Sequence, residues 1–284
     1  MERPLIIYHA HCPDGFGAAC AAYLHFCPGG ENRCDFVAAA HGDPPPPTAG
    51  REVYMVDFSY PRLRMKELCP AARSVTVIDH HVTAQRELAG LEEEYGNLRV
   101  LLNMEKSGAV LAWEYFHATP PPRLLLHVQD RDLWRFEMAA TNDVYAALMA
   151  RPFEFDAWRK LLEEEVPPEL LAEGRAINRY RRQMIDLHRE KACIGSIAGF
   201  KVPVVNCYED IASDLLGELA KGHPFAAGYQ DQGSRRKWSL RSSASGEDVA
   251  VIAERFGGGG HRNAAGFITR IPETVLSAVP RRGE

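Results

Sequence analysis

Aspartate and histidine side chains recur in this chain where short apolar runs stop. Leu5-Ile6-Ile7-Tyr8 ends at His9, with His11, Cys12 and Asp14 just beyond. Val53-Tyr54-Met55-Val56 ends at Asp57, and Val75-Thr76-Val77-Ile78 ends at Asp79-His80-His81. A further apolar segment, Leu124 to Val128, leads to Asp130 and Asp132. Two divalent ions held a few ångströms apart need hard oxygen ligands, some imidazole and a carboxylate able to bridge them. The ligand candidates are His9, Asp14, Asp57, His80 and Asp130, with Asp79, His11, His81 and Asp132 close behind. Taken alone, each has an ordinary explanation: Asp14-Gly15 as a turn, Asp57 as a helix cap, Asp130 as a surface charge beside Arg131. Their recurrence at successive strand ends argues against coincidence.

The elements that must position these groups follow from periodicity. The three runs are short and rich in β-branched residues, so they read as strands, and helix-like segments separate them. After the first, Ala18, Ala22, Tyr23 and Phe26 recur at helical spacing. Ser107 can cap a helix containing Val110, Leu111 and Phe116, which Pro120-Pro121-Pro122 ends. Pro44 to Pro47 read as a surface loop. This alternation predicts an α/β fold with a parallel sheet, whose functional edge is the carboxyl end of its strands.

From Trp158 to Lys191 the chain is a mixed-charge helical stretch that Pro167 and Pro168 should break into two helices. A connector is its simplest reading. The pattern then restarts with a strand around Val202 to Val205, a helix from Ile211 to Leu219, strands Phe225 to Tyr229 and Lys237 to Leu240, and a short helix from Val249 to Phe256. Two domains are therefore expected: residues 1–155, a helical linker over 156–191, and a smaller α/β domain over 192–284. Near its end Gly257 to Gly260 precede His261-Arg262-Asn263, placing backbone N–H groups beside a cation and an imidazole, which suits a phosphate. Arg241 could pair with a phosphate bidentately.

Composition sets limits. Of 284 residues, 33 are basic and 38 acidic, a formal charge of 33 minus 38, or −5, which lacks the basic field of a protein coating long duplex nucleic acid. The seven cysteines are odd in number and include no C-x-x-C pair, against a disulfide framework or a zinc knuckle. No stretch approaches the roughly 18 apolar residues needed to span a bilayer, so no membrane association and a cytoplasmic location are expected.

The pattern resembles the DHH phosphoesterase superfamily with its DHH-associated C-terminal domain. Four blocks carry the likeness: His9 to Ala19, Val56-Asp57, the signature Asp79-His80-His81, and Gln129-Asp130-Arg131-Asp132. Trp238 to Ser242 and the glycine run are similar to segments of the associated domain. The resemblance implies a phosphohydrolase with two manganese ions, or magnesium in their place. Asp57 would bridge the ions, His9, Asp14, His80 and Asp130 would complete the ligands, and His81 with Asp79 would serve catalysis. The C-terminal domain would close over the metals and hold substrate through Arg241, Gly258, Gly259, Gly260, His261 and Asn263. The likeness is greatest to the branch with oligoribonucleases and cyclic-nucleotide phosphodiesterases. It implies hydrolysis of a short single-stranded oligonucleotide or small nucleotide, with a homodimer left open. A cyclic dinucleotide or polyphosphate hydrolase, and a nucleotide-binding module without catalysis, are the alternatives. One departure stands out. Many relatives carry two aspartates one residue apart in the first block, whereas this block has only Asp14, and its partner position is Cys12 or Phe16. The spacing back to His9 does not settle which, so the choice of His9 over His11 is open too. A hard ion prefers oxygen to the Cys12 sulfur.

Overall fold

In the computed structural model, which describes residues 2–271 except 32, 41 and 164, the chain divides into two compact units, residues 1–178 and 179–284. The first is built on five parallel strands: β1 (Leu5–His9), β2 (Asp35–Ala39), β3 (Glu52–Val56), β4 (Ser74–Asp79) and β5 (Leu98–Leu102), in the order β2-β1-β3-β4-β5. The three strands expected from the sequence form the centre of this sheet. The two added strands are its edges, and both are only partly buried.

Strand alternation places an apolar side chain on each face. Ile6, Val56 and Ile78 point into one cluster, while Leu5, Ile7, Met55 and Val77 point into the other. The first cluster packs α1 (Pro13–Phe26), α5 (Gly108–Phe116), α6 (Arg123–Asp132), α7 (Thr141–Met149) and α8 (Phe155–Glu163). The second packs α2 (Arg62–Leu68), α3 (Val82–Leu88) and α4 (Leu91–Glu94). A sheet covered on both faces leaves only its ends open to a ligand.

The helical stretch expected as a solvated linker divides between the units. Trp158 in α8 is buried against Phe16, with ring centroids 5.1 Å apart, and Phe153 and Phe155 stack on the same phenylalanine. Such ring pairs each add about 0.5–1.5 kcal/mol beyond area burial, so α8 is part of the first core. Helix α9 (Pro168–Arg189) begins on a proline, a residue suited to the first helical position. Its Leu170 lies in the first unit's core and its Ile185 in a core of the second.

The second unit is a six-stranded mixed sheet, β10-β11-β9-β8-β7-β6, formed by β6 (Cys193–Ile197), β7 (Phe200–Asn206), β8 (Ala226–Gln232), β9 (Arg235–Arg241), β10 (Gly259–His261) and β11 (Ala264–Arg270). Helix α11 (Val249–Glu254) packs on one face with Val202, Phe225, Leu240 and Phe267, and α10 (Glu209–Leu219) packs on the other with Val205 and Cys207. Among the described residues, no helix is long and apolar enough to cross a membrane.

Candidate metal centre

Each strand of the central trio hands a side chain to the carboxyl edge of the sheet. β1 ends on His9, and Cys12 then occupies the N-cap position of α1 in an extended conformation (φ −133°, ψ 132°). β3 runs into Asp57, which takes a left-handed φ of +54° while its N–H donates to the Ile78 carbonyl at 2.9 Å. β4 delivers Asp79, His80 and His81.

These groups converge. His80 Nε2 lies 3.1 Å from Asp57 Oδ1, 3.6 Å from Asp14 Oδ2 and 3.5 Å from Asp132 Oδ2, and His9 Nδ1 lies 3.6 Å from Asp57 Oδ2. Three sets have ligand atoms within 4.8 Å of one another: His9, Cys12 and Asp57; Asp14, His80 and Asp132; and Asp57, Asp79, His80 and His81. The 3.1 Å approach of His80 to Asp57 is not directed as a hydrogen bond, and both atoms are buried without a hydrogen-bond partner. Buried polar atoms left so are costly unless something outside the chain satisfies them. A divalent cation fits here, because carboxylate oxygen and imidazole nitrogen are its donors and Asp57 offers one oxygen to each side.

The electrostatics agree with a site built for positive charge. Burial, with Asp57 and Asp132 close by, pushes the Asp14 carboxyl well above the usual range. Partial burial and Asp57 push Asp132 up to about 6. Burial would also raise Asp57, but the imidazoles of His80 and His9 outweigh it and hold that carboxyl well below its usual range. Burial lowers His80, yet the three surrounding carboxylates push it up to about 10. An entering cation must displace that proton. Affinity for a divalent cation such as manganese should therefore rise with pH below 10, and more steeply below about 6 where Asp132 also takes a proton. Calorimetric titration across pH checks this, and a flat profile would contradict it.

The rest of the cluster is held by backbone. Both oxygens of the buried Asp14 accept hydrogen bonds from the first turn of α5, at 2.7 Å from Gly108 N–H and 3.0 Å from Ala109 N–H. A helix N-terminus is suited to this anion. Ser107 caps α5 as expected and donates its own N–H to Gln129 Oε1. A methyl group at 108 would collide with Cβ and Oδ1 of Asp57. Gly108→Ala should thus lose about 1–3 kcal/mol or more and weaken metal binding; denaturant unfolding with and without manganese measures both.

Asp79 has an orienting geometry. Its Oδ1 accepts from His80 N–H at 2.7 Å, His81 N–H at 3.3 Å and His81 Nδ1 at 2.7 Å. Burial lowers His81, but the Asp79 contact outweighs it and raises the imidazole above its ordinary value. His11 is exposed, with a φ of +57°. His9, not His11, is the imidazole in the cluster.

Two expectations change. Asp130 is not brought to the centre: its carboxylate accepts from Glu137 N–H at 2.8 Å, Met138 N–H at 3.1 Å and Thr141 Oγ1 at 2.6 Å, and His127 Nδ1 contacts the same hydroxyl. Asp132 reaches the cluster instead. Both lie on α6, and two residues of helix turn a side chain by about 200°, so one faces the centre and the other braces the loop into α7. The available signal was helical phase, since Leu125, Val128 and Asp132 follow i, i+3, i+7 along one stripe. Of the two candidates for the open position in the first block, Phe16 is in the aromatic core, whereas Cys12 is in the cluster.

In the second unit Arg241, Ala264 and His261 form one rung across β9, β11 and β10. Arg241 is half-buried, its Nε 3.3 Å from Ser213 Oγ. Gly258 and Gly260 are required by packing, because a Cβ at either would strike the backbone of β11, whereas Gly259 faces open space. Asn263 Nδ2 donates to Ser243 O at 2.8 Å and contacts Ser242 Oγ at 3.0 Å, bracing the strand ends.

The fold, a parallel sheet followed by a mixed-sheet unit, is shared by solved structures. The DHH domain of PF0399, described as a member of the s1p family of ribosomal proteins, matches with a TM-score of 0.57 at 14% identity, covering 94% of this chain and 83% of that one. RecJ of Thermus thermophilus, solved with Mn2+, matches with a TM-score of 0.55 at 15% identity, covering 93% and 49%. Among curated proteins, the chain is 30% identical over 287 residues to the uncharacterized protein R106 of Acanthamoeba polyphaga mimivirus, covering 93% of this chain and 66% of that protein. It is 27% identical over 233 residues to oligoribonuclease NrnB of Bacillus subtilis (strain 168), covering 72% and 55%. The chain thus spans just under two thirds and just over half the length of these two relatives. No family model matches it. The fold of this chain is the one seen in the DHH domain of PF0399 and in RecJ.

Proposed function

We propose that this chain is a metal-dependent phosphodiesterase that hydrolyses short single-stranded oligonucleotides or small nucleotides with two bound manganese ions. The observation that carries this is the convergence of His9, Asp14, Asp57, His80 and Asp132 around the unsatisfied Asp57 Oδ1 and His80 Nε2. Relatives support the substrate class: NrnB is named an oligoribonuclease, and RecJ was solved with Mn2+. Bound divalent ions would activate water and offset the charge of the phosphoryl group.

The chain's own residues supply the rest. Asp57 sits between the two ligand sets and presents one oxygen to each. Asp79 holds His81 through Nδ1, which orients Nε2, and in the imidazolium form Nε2 can donate a proton to the departing oxygen. The Asp79 contact raises the His81 pKa, which favours the protonated imidazole. In the second unit Arg241, His261 and the backbone of Gly258, Gly259 and Gly260 bind substrate phosphate, with Asn263 holding the strand ends in place.

The test is a panel of short RNA, short DNA, a cyclic dinucleotide and inorganic polyphosphate with manganese, each repeated after chelation. Cleavage of the short nucleic acids that chelation abolishes supports the proposal. Turnover of polyphosphate alone, or nucleotide binding that survives chelation without turnover, would overturn it.

A further inference from the structure

We propose that Cys12 is a thiolate ligand, so that the centre consists of two chemically unequal metal subsites. This rests on the metal-centre reading above and deepens it. One subsite, Asp14, His80 and Asp132 with Asp57, offers only oxygen and nitrogen. The other, His9, Cys12 and Asp57, offers sulfur as well, with all three ligand atoms within 4.8 Å of one another.

Independent observations place the sulfur in the ligand set. Cys12 sits at the N-cap of α1, where a side chain commonly caps the first turn, yet it makes no capping hydrogen bond. Pro13 directly after it restrains the backbone that presents it. The Asp57 side chain is 2% exposed, its Oδ2 lies 3.6 Å from His9 Nδ1, and its other oxygen has no hydrogen-bond partner on the His80 side. Phe16, the competing position for the missing carboxylate, is sealed among Phe153, Phe155 and Trp158. Among the described residues, no other side chain of the first block occupies the place that Cys12 takes in the cluster.

The consequence is selectivity. Magnesium demands oxygen ligands in near-ideal octahedral geometry; manganese also prefers oxygen but holds less strictly to that geometry, and along the series through iron and cobalt to zinc nitrogen and then sulfur are accepted more readily. The His9–Cys12–Asp57 subsite therefore selects a borderline divalent ion and discriminates against magnesium, while the Asp14–His80–Asp132 subsite accepts a hard ion. On binding, the thiol releases its proton to solvent and the sulfur lone pair forms the bond to the ion.

Cobalt titration of the chelator-stripped full chain tests this by absorption. Wild type should develop visible ligand-field bands together with a near-ultraviolet sulfur-to-cobalt charge-transfer band. In Cys12→Ser and Cys12→Asp the visible bands should persist and the charge-transfer band disappear. Cys193→Ser, which removes an exposed thiol, should keep it. Cys12→Asp should also shift the manganese-to-magnesium affinity ratio toward magnesium by at least roughly tenfold, since even changes outside the ligand shell move metal affinity by 10–100-fold. Visible bands without a charge-transfer band in wild type, or a band surviving Cys12→Ser, would overturn the thiolate ligand while leaving the metal centre standing. No cobalt binding at all would instead remove the metal-centre reading itself, and this inference with it.

Discussion

Replacing Asp57 by asparagine should lower metal-dependent hydrolysis by about a thousandfold or more while leaving the thermal midpoint nearly unchanged. The size follows from the place of the carboxylate. In the proposed two-ion centre Asp57 would be shared by both ions, whose stabilisation of the transition state would be worth several kcal/mol, and each 1.36 kcal/mol is a factor of ten in rate. The small effect on stability follows from the backbone. Asp57 has a φ of +54°, a region that asparagine and aspartate enter readily and most other residues do not. Asparagine relieves repulsion with Asp14 and Asp132 while giving up the charge pairing with the His80 and His9 imidazoles, so the two effects oppose one another in the metal-free protein. Alanine is the poorer probe, since backbone strain would confound it. Wild-type turnover by the asparagine variant, with the fold verified, would defeat the proposed function.

Asp130 and Asp132 should separate stability from catalysis across a gap of two residues. Asp132→Asn should abolish turnover with little loss of stability, because its side chain is 27% exposed and faces the ligands. Asp130→Ala should unfold more easily by roughly 2–4 kcal/mol, since two backbone N–H groups and the Thr141 hydroxyl lose their acceptor. Burial opposes ionisation of Asp130, but Thr141, Glu137 and Met138 outweigh it and lower the pKa. A depressed carboxyl stabilises the fold above its unfolded pKa, and that contribution is lost as pH falls through the folded value. Asp130→Ala should therefore weaken the protein at neutral pH and flatten its loss of stability in acid. Denaturant melts at several pH values, read beside manganese-dependent turnover, check both halves; the opposite pattern would return Asp130 to the metal.

Much of this was legible because strand ends are punctuated by residue type. His9, Asp57, Asp79 and His80 each close a β-branched run, and a parallel sheet brings such ends to one edge. Asp132 was harder, since choosing between 130 and 132 needs the phase of a helix, and Leu124 to Val128 alone did not announce one. β2 and β5 went unread because an edge strand has a single neighbour and needs less of an apolar pattern. The glycine run carried two messages at once: Gly258 and Gly260 are demanded by strand packing, which composition cannot distinguish from phosphate binding. The role of α8 lay in Trp158, whose burial could not be inferred from the charges around it.

The attachment of Asp14 to the first turn of α5 carries a consequence for amide exchange. The N–H groups of Gly108 and Ala109 would otherwise be open helix-end donors, and they end on a carboxylate that is itself a candidate ligand. Deuterium uptake at those two amides is thereby coupled to the state of the metal centre. They are built-in reporters of its occupancy, readable in the absence of any substrate.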